Sequence, residues 1–351
     1  MTNEFKLPPF TMQNEINPAE IPWGVQRVNA PVVWDIAKGK NTIVAVLDTG
    51  VDKNHPDLIG KVIDGKNFTS DYNYDSSNYS DNQGHGTHCA GVIAGSIDNN
   101  GVIGVAPEAK LIVGKVLAGN GSGSYDSIIA GIKWATAWTD ENGKHVDVIS
   151  MSLGGPQHVA GLQSAIKAAI SADISVICAS GNSGDNNHNT NEFMYPGAYQ
   201  EVIEVGATDA SDNVAIFSNT NAFIDVVAPG VDIVSTMPNG KWAKMSGTSM
   251  ATPHVAGVMA IIRGTFPELN ESQAYAKLLE FVRALPYSTN AVGRGIVDLS
   301  VANLIVDKPI EKEINNEPTD SKLNKSIVSI DETNYYVLVG PFETKDLATQ
   351  Y

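Results

Sequence analysis

Three short glycine-bounded segments carry side chains that together could run a nucleophilic reaction. They are Asp48-Thr49-Gly50, His85-Gly86-Thr87-His88-Cys89-Ala90-Gly91 and Gly247-Thr248-Ser249-Met250-Ala251-Thr252-Pro253-His254. A serine hydroxyl attacks a carbonyl poorly until a base takes its proton. An imidazole serves best as that base when a carboxylate fixes its tautomer and balances the charge it acquires. One Asp, one His and one Ser therefore suffice for acyl transfer. Singly, each has a plainer reading: Asp48 as a loop cap, His85 as the first residue of a helix, Ser249 as a helix-start hydroxyl. Jointly, the plain readings lose ground to the chemical one. His85 and His88 lack the glutamate of an H-E-x-x-H zinc helix, so zinc is not expected. Cys89 stands one helical turn beyond His85, where its thiol either approaches the same centre or packs as a small hydrophobe. Cys178 falls in an apolar run and reads as inert.

The elements that must position these residues follow from the apolar pattern. Near-continuous apolar runs at Ile43 to Leu47, Leu111 to Leu117, Val146 to Met151, Ile174 to Ala179, Val202 to Val205 and Ile224 to Val227 read as strands covered on both faces. Between them lie helical patterns, such as Val159, Leu162, Ile166, Ala169 and Ile170 on one face. The alternation predicts an α/β fold, a doubly wound and mostly parallel sheet with helices on both faces. Ligands of such sheets sit beyond the carboxyl ends of strands, which is where Asp48 falls.

Composition bounds the function. Of 351 residues, 42% are hydrophobic and 18% charged, enough for a large core. A net charge of −16 repels phosphate backbones and argues against nucleic acid as a partner. The N-terminus has no cationic start followed by an apolar run, and no stretch approaches the roughly 18 apolar residues of a membrane span. Two cysteines do not make a disulfide framework. These features together predict a soluble, cytoplasmic protein with no membrane partner, the extracellular or spore-associated setting standing as the alternative.

The three glycine-bounded segments resemble, almost letter for letter, the catalytic segments of the subtilisin-like serine proteases, or subtilases, over about residues 20 to 303. The resemblance implies a subtilisin-like fold and a broadly specific serine endopeptidase acting on extended protein or peptide segments. Ser249 would attack the scissile carbonyl, His85 would serve as base and then acid, and Asp48 would orient it. Asn182 would donate to the oxyanion beside the Ser249 backbone N–H. Gly121, Ser122 and Gly123 would form one peptide-binding edge and Ser152, Leu153 and Gly154 the other, with Tyr125 as a lid over a more distant subsite. Met194 replaces a small residue near the pocket floor, and Ser183 replaces an acidic residue of some relatives.

Calcium is the cofactor the resemblance implies, with carboxylates from Asp57 and Asp98 and carbonyls from Ser96, Asn100 and Val102. The loop Thr69 to Gln83, with Asp71, Asp75 and Asp81, reads as solvated surface, a second ion site there being the alternative.

The predicted organisation is an N-terminal extension at 1–18, a catalytic domain at 19–304, a linker at 305–326 and a β-α fragment at 327–351. Residues 306–325 carry nine charged residues and two prolines, the composition of a linker. Leu7-Pro8-Pro9-Phe10, followed by Ile21-Pro22-Trp23-Gly24-Val25, resembles the inhibitory extension of intracellular subtilisins. The C-terminal YYVLVGPFETKDLATQY resembles the opening of a SPOR-type repeat, which would add peptidoglycan as a partner. A homodimer is compatible with all of this. The reading from another class is a catalytically silent binding module on the same scaffold.

Overall fold

In the strand Ile43–Asp48 successive side chains point to opposite faces, and both faces are covered. Val44 and Val46 join one core cluster, Ile43, Ala45 and Leu47 another. The computed structural model describes residues 4–7, 11–12, 21–98 and 101–301. Met1–Val306 groups into one unit and Asp307–Tyr351 into a second. The linker and fragment expected at 305–351 lie outside the described residues, as does most of the extension.

In chain order the described elements begin with the short strands β1 (Glu4–Lys6) and β2 (Thr11–Met12), then α1 (Trp23–Arg27) and β3 (Ile43–Asp48). There follow β4 (Val62–Asn67), α2 (His85–Ala94), β5 (Lys110–Lys115), β6 (Ser122–Ser124), α3 (Tyr125–Ala137), β7 (Val148–Met151) and α4 (Ala160–Ser171). The second half holds β8 (Ser175–Ala179), β9 (Ile203–Thr208), β10 (Ile224–Pro229), β11 (Ile233–Met237), β12 (Lys241–Ser246) and α5 (Thr248–Thr265). It closes with α6 (Glu271–Glu280), β13 (Val282–Arg283), α7 (Thr289–Val292) and β14 (Ile296–Val297).

Among the described residues nine strands form the main sheet, in the order β13-β14-β10-β9-β8-β7-β3-β5-β4. All its neighbouring pairs are parallel except β13 with β14. Residues of α2 and α5 pack with Val44, Val46, Val113 and Val205 on one face, and residues of α3 and α4 with Ala45, Leu47 and Ile149 on the other. This is the doubly wound α/β arrangement read from the sequence. The helix expected from Val159 onward is α4, with Leu162, Ala165, Ile166 and Ala169 buried. Among the described residues no helix is long and apolar enough to cross a membrane.

Candidate active site

Three neighbouring strands deliver the site. Asp48 ends β3, Ser152 follows β7, and Asn182 lies three residues beyond β8. Two helices of the opposite layer bring the rest, because His85 is the first residue of α2 and Ser249 the second of α5.

His85 and Asp48 meet directly. His85 Nδ1 lies 2.8 Å from Asp48 Oδ1 and 3.0 Å from Oδ2, with both side chains buried. A carboxylate there makes Nδ1 the protonated nitrogen and leaves Nε2 as the basic one. Burial opposes a charge on the ring, yet Asp48 and the Cys89 sulfur outweigh it and hold His85 well above its ordinary 6.5. The close approach of α2 depends on Gly86, where a Cβ would collide with Gly50 O. The Gly86 N–H donates to Thr49 Oγ1 at 2.9 Å, and Thr49 Oγ1 donates to Asp81 Oδ1 at 2.9 Å.

Ser249 is tied to the same centre by its backbone. Its carbonyl accepts from Ser152 Oγ at 2.8 Å and from Cys89 Sγ at 3.5 Å, while its own Oγ donates to Ser152 O at 3.2 Å. Cys89 Sγ also lies 3.9 Å from His85 Nδ1, so the thiol bridges the two helices, and burial pushes it upward from its usual 9.0. Asn182 is aimed by Thr248, whose N–H and Oγ1 both donate to Asn182 Oδ1 at 2.8 Å.

The two expected edges flank these groups. On one side, Ser124 and Ser127 form a reciprocal capping box that seats β6 on the start of α3. Tyr125 is buried at that start, with its hydroxyl donating to Gln157 O at 3.2 Å. Strand β1 pairs antiparallel with this edge, Phe5 opposite Gly123, and Leu7 N donates to Gly121 O at 3.1 Å. On the other side Ser152, Leu153 and Gly154 follow β7. Met194 wedges against this edge: a Cβ at Gly154 would collide with its Cγ, and one at Gly181 would stand 3.1 Å from its sulfur.

The subtilase family model matches residues 39–302. The chain belongs to the subtilase family. It is 47% identical over 299 residues to "Intracellular serine protease" of Paenibacillus polymyxa, covering 84% of this chain and 90% of that one. "Major intracellular serine protease" of Bacillus subtilis (strain 168) is 44% identical over 316 residues, covering 88% and 97%. Subtilisin DY of Bacillus licheniformis is 41% identical over 283 residues, covering 80% and 98%. The subtilase is accordingly a serine endopeptidase, and nothing in these relationships favours a silent binding module.

The acidic residues of this subtilase divide. Asp57 is fully buried; its Oδ2 accepts from Val102 N at 2.7 Å and Trp242 Nε1 at 2.8 Å, whereas Oδ1 has no hydrogen-bond partner among the described residues. Burial raises this carboxyl from its usual 3.8, and the charge of Asp98 adds to the rise. Ser96 N donates to Asp57 O at 2.9 Å, and Asn100 lies outside the described residues. In the loop 69–83 the carboxylates do not converge. Asp71 pairs with the buried Lys115 at 3.0 Å, Asp81 is buried and accepts from Thr49 and Thr87, and Asp75 is exposed.

Sequence reasoning missed the supporting residues. Thr248, Lys115 and the Ser152 hydroxyl act through partners distant in sequence, Asn182, Thr49 and Ser249, and no local pattern announces them. Thr248 stood inside a quoted motif, so its place beside Ser249 was the one available signal. His88 is a neutral core histidine: burial lowers it to about 3, and its Nε2 bonds Ile233 O at 3.0 Å.

Proposed function

We propose that Ser249, His85 and Asp48 perform the endopeptidase reaction as nucleophile, general base and orienting acid. The observation that carries this is the His85 Nδ1 contact with the Asp48 carboxylate at 2.8 Å, made where α2 meets the start of α5. His85 Nε2 takes the Ser249 Oγ proton as Oγ attacks the scissile carbonyl, and the tetrahedral oxygen accepts from Asn182 Nδ2 and the Ser249 N–H. With Oδ1 anchored on Thr248, the Asn182 side chain is set before substrate arrives, so its donor needs no reorganisation. His85 then protonates the leaving amine, and water releases the acyl group by the same route reversed.

Substrate lies extended between Gly121, Ser122 and Gly123 on one side and Ser152, Leu153 and Gly154 on the other, held by backbone hydrogen bonds. Tyr125 covers a distal subsite. Met194, wedged against Gly154, narrows the pocket for the side chain at the cleavage position.

The extension 1–18 acts as an internal inhibitor. Support comes from the pairing of Glu4–Lys6 with Ser122–Ser124, along one edge a substrate would use, while Thr11–Met12 pairs farther on with Met245 and Ser246. The catalytic domain is read as 19–304.

Calcium would be held by Asp57, Ser96, Asp98, Asn100 and Val102. The fit rests on the buried, unpartnered Asp57 Oδ1 and on the second acidic charge of Asp98 beside it, a donor set suited to a hard cation. The ion would supply positive charge and crosslink the loop after α2. Location within the cell is inferred from the two relatives named intracellular.

One experiment tests the whole: hydrolysis of a chromogenic peptide by the full chain, by the 1–18 deletion and by Ser249→Ala, with and without a serine-directed inhibitor. Inhibitable hydrolysis, raised by the deletion and abolished by Ser249→Ala, is expected. An unaltered rate in Ser249→Ala refutes the triad, and an unaltered rate in the deletion refutes the inhibitor.

A further inference from the structure

Glu204 carries its carboxyl group inside the sheet. It lies on β9 opposite Cys178 of β8 and Ile224 of β10, and none of it is exposed. Its Oε1 accepts from Asn221 Nδ2 at 3.1 Å, and Oε2 has no hydrogen-bond partner among the described residues. No arginine or lysine is paired with it among the described ion pairs. A buried carboxylate without a cation is costly, whereas the neutral acid is not.

The acid stands directly behind the cleft wall that carries Met194. Asn221 Nδ2 donates both to Glu204 Oε1 and to Glu192 O, each at 3.1 Å, and Glu192 is two residues before Met194. At the other end of the wall a Cβ on Gly197 would stand 3.2 Å from both Glu204 Oε1 and Met194 O. Glu204 thus backs one end of the segment that presses Met194 against Gly154 directly, at Gly197, and the other through Asn221.

We propose that Glu204 is a positioning residue for the wall 192–197, seating Met194 through Asn221 while its carboxyl is uncharged and loosening that wall when it ionises. The proposal rests on the reading of Met194 as part of the substrate pocket. Burial pushes Glu204 up to about 8, Asn221 opposes the rise and Asp225 adds to it. Three titratable groups belong to its surroundings. Cys178 is driven well above its usual range by burial. Asp225, whose Oδ2 accepts the Glu204 N–H at 2.8 Å, is raised by burial to about 6 against the pull of Tyr275 and Arg294. Glu192 turns its carboxylate to the Thr220 N–H. Burial thus raises Glu204 further than Asp225, toward the mildly alkaline range.

The test compares the full-length wild type, Glu204→Gln and Glu204→Ala at about pH 7 and about pH 9.5, bracketing the ionisation. It reads the Kd of an uncleavable peptide by calorimetry and the kcat and KM of chromogenic peptides. In the wild type, Kd and KM are expected to rise about 5- to 10-fold with pH, the scale of a small loss of wall register. Glu204→Gln, a permanent mimic of the neutral acid, should hold the wild-type neutral value at both pH values with the same kcat ratio. Glu204→Ala should show weakened binding at both. Identical pH dependence of Kd and KM in wild type and Glu204→Gln overturns the proposal, and that comparison stands even if Glu204→Ala fails to fold. A chain with no turnover at either pH would refute the catalytic reading, while calorimetry would still decide the role of Glu204. Unchanged side-chain preference in Met194→Gly would refute the pocket reading separately.

Discussion

Pro253 stands four residues after Ser249 in α5 and so removes the backbone donor that the Ser249 carbonyl would have had in an uninterrupted helix. Ser152 Oγ takes that acceptor at 2.8 Å. A helix defect in the sequence thereby becomes the bond joining the α5 start to the edge after β7. Ser152→Ala leaves a buried carbonyl with the weaker Cys89 thiol alone, a loss of about 1–3 kcal/mol. Thermal unfolding should show Tm lower by at least about 2 °C; an unaltered Tm would mean that the thiol suffices.

Asn182→Ala should lower kcat about 10²- to 10³-fold with KM little affected, the loss known for removal of one oxyanion donor in a subtilisin. Thr248→Ala, which removes one of the two bonds aiming Asn182, should lower kcat by a smaller factor. Equal kcat in wild type and Asn182→Ala would remove Asn182 from the reaction.

Catalysis needs neutral His85, so kcat/KM should fall as pH drops through a value above 6.5, because Asp48 and Cys89 outweigh the effect of burial. The sign for stability is the reverse. A raised histidine contributes stability that is fully present below its unfolded value and is lost as pH rises through the folded one. Asp48→Asn should cost about 10⁴-fold in kcat by releasing the tautomer. A pH–rate profile in which the acid limb lies below 6.5 would contradict the electrostatic account.

Chelation should lower Tm of the wild type. An ion at 100 times its Kd contributes about 2.7 kcal/mol. Asp57→Asn should be less stable and indifferent to added calcium. Equal melting curves with and without chelator would exclude the ion.

Met194→Gly should open the space against Gly154 and raise kcat/KM for a large side chain at the cleavage position relative to a small one, by about 10-fold or more. The measurement is a pair of peptides differing at that position alone.

The layers were legible because strands such as Ile43–Asp48 are apolar throughout and the helix after Val159 is periodic. Asp48, His85 and Ser249 were legible because each sits at an element end marked by glycine. Strand β4, Val62–Asn67, was not, since its mixed polar residues serve a sheet edge. The β11–β12 hairpin had a local signal that went unread: Met237 pairs with Lys241 across the three-residue loop Pro238-Asn239-Gly240, in which Asn239 and Gly240 take φ of 67° and 66°. Glu204 was unreadable in principle, because a glutamate in an apolar run reveals neither its burial nor its neighbour across two strands.

The strand Glu4–Lys6 belongs to the same chain as the edge it pads, and this has a kinetic consequence. A tethered segment meets its site at an effective concentration in the millimolar range, whatever the protein concentration. Dilution would leave the inhibitor proposed above in place, and a competing peptide would need comparable abundance to displace it. One cut in the connecting chain changes the arithmetic, since the released strand then escapes into the whole volume of the solution.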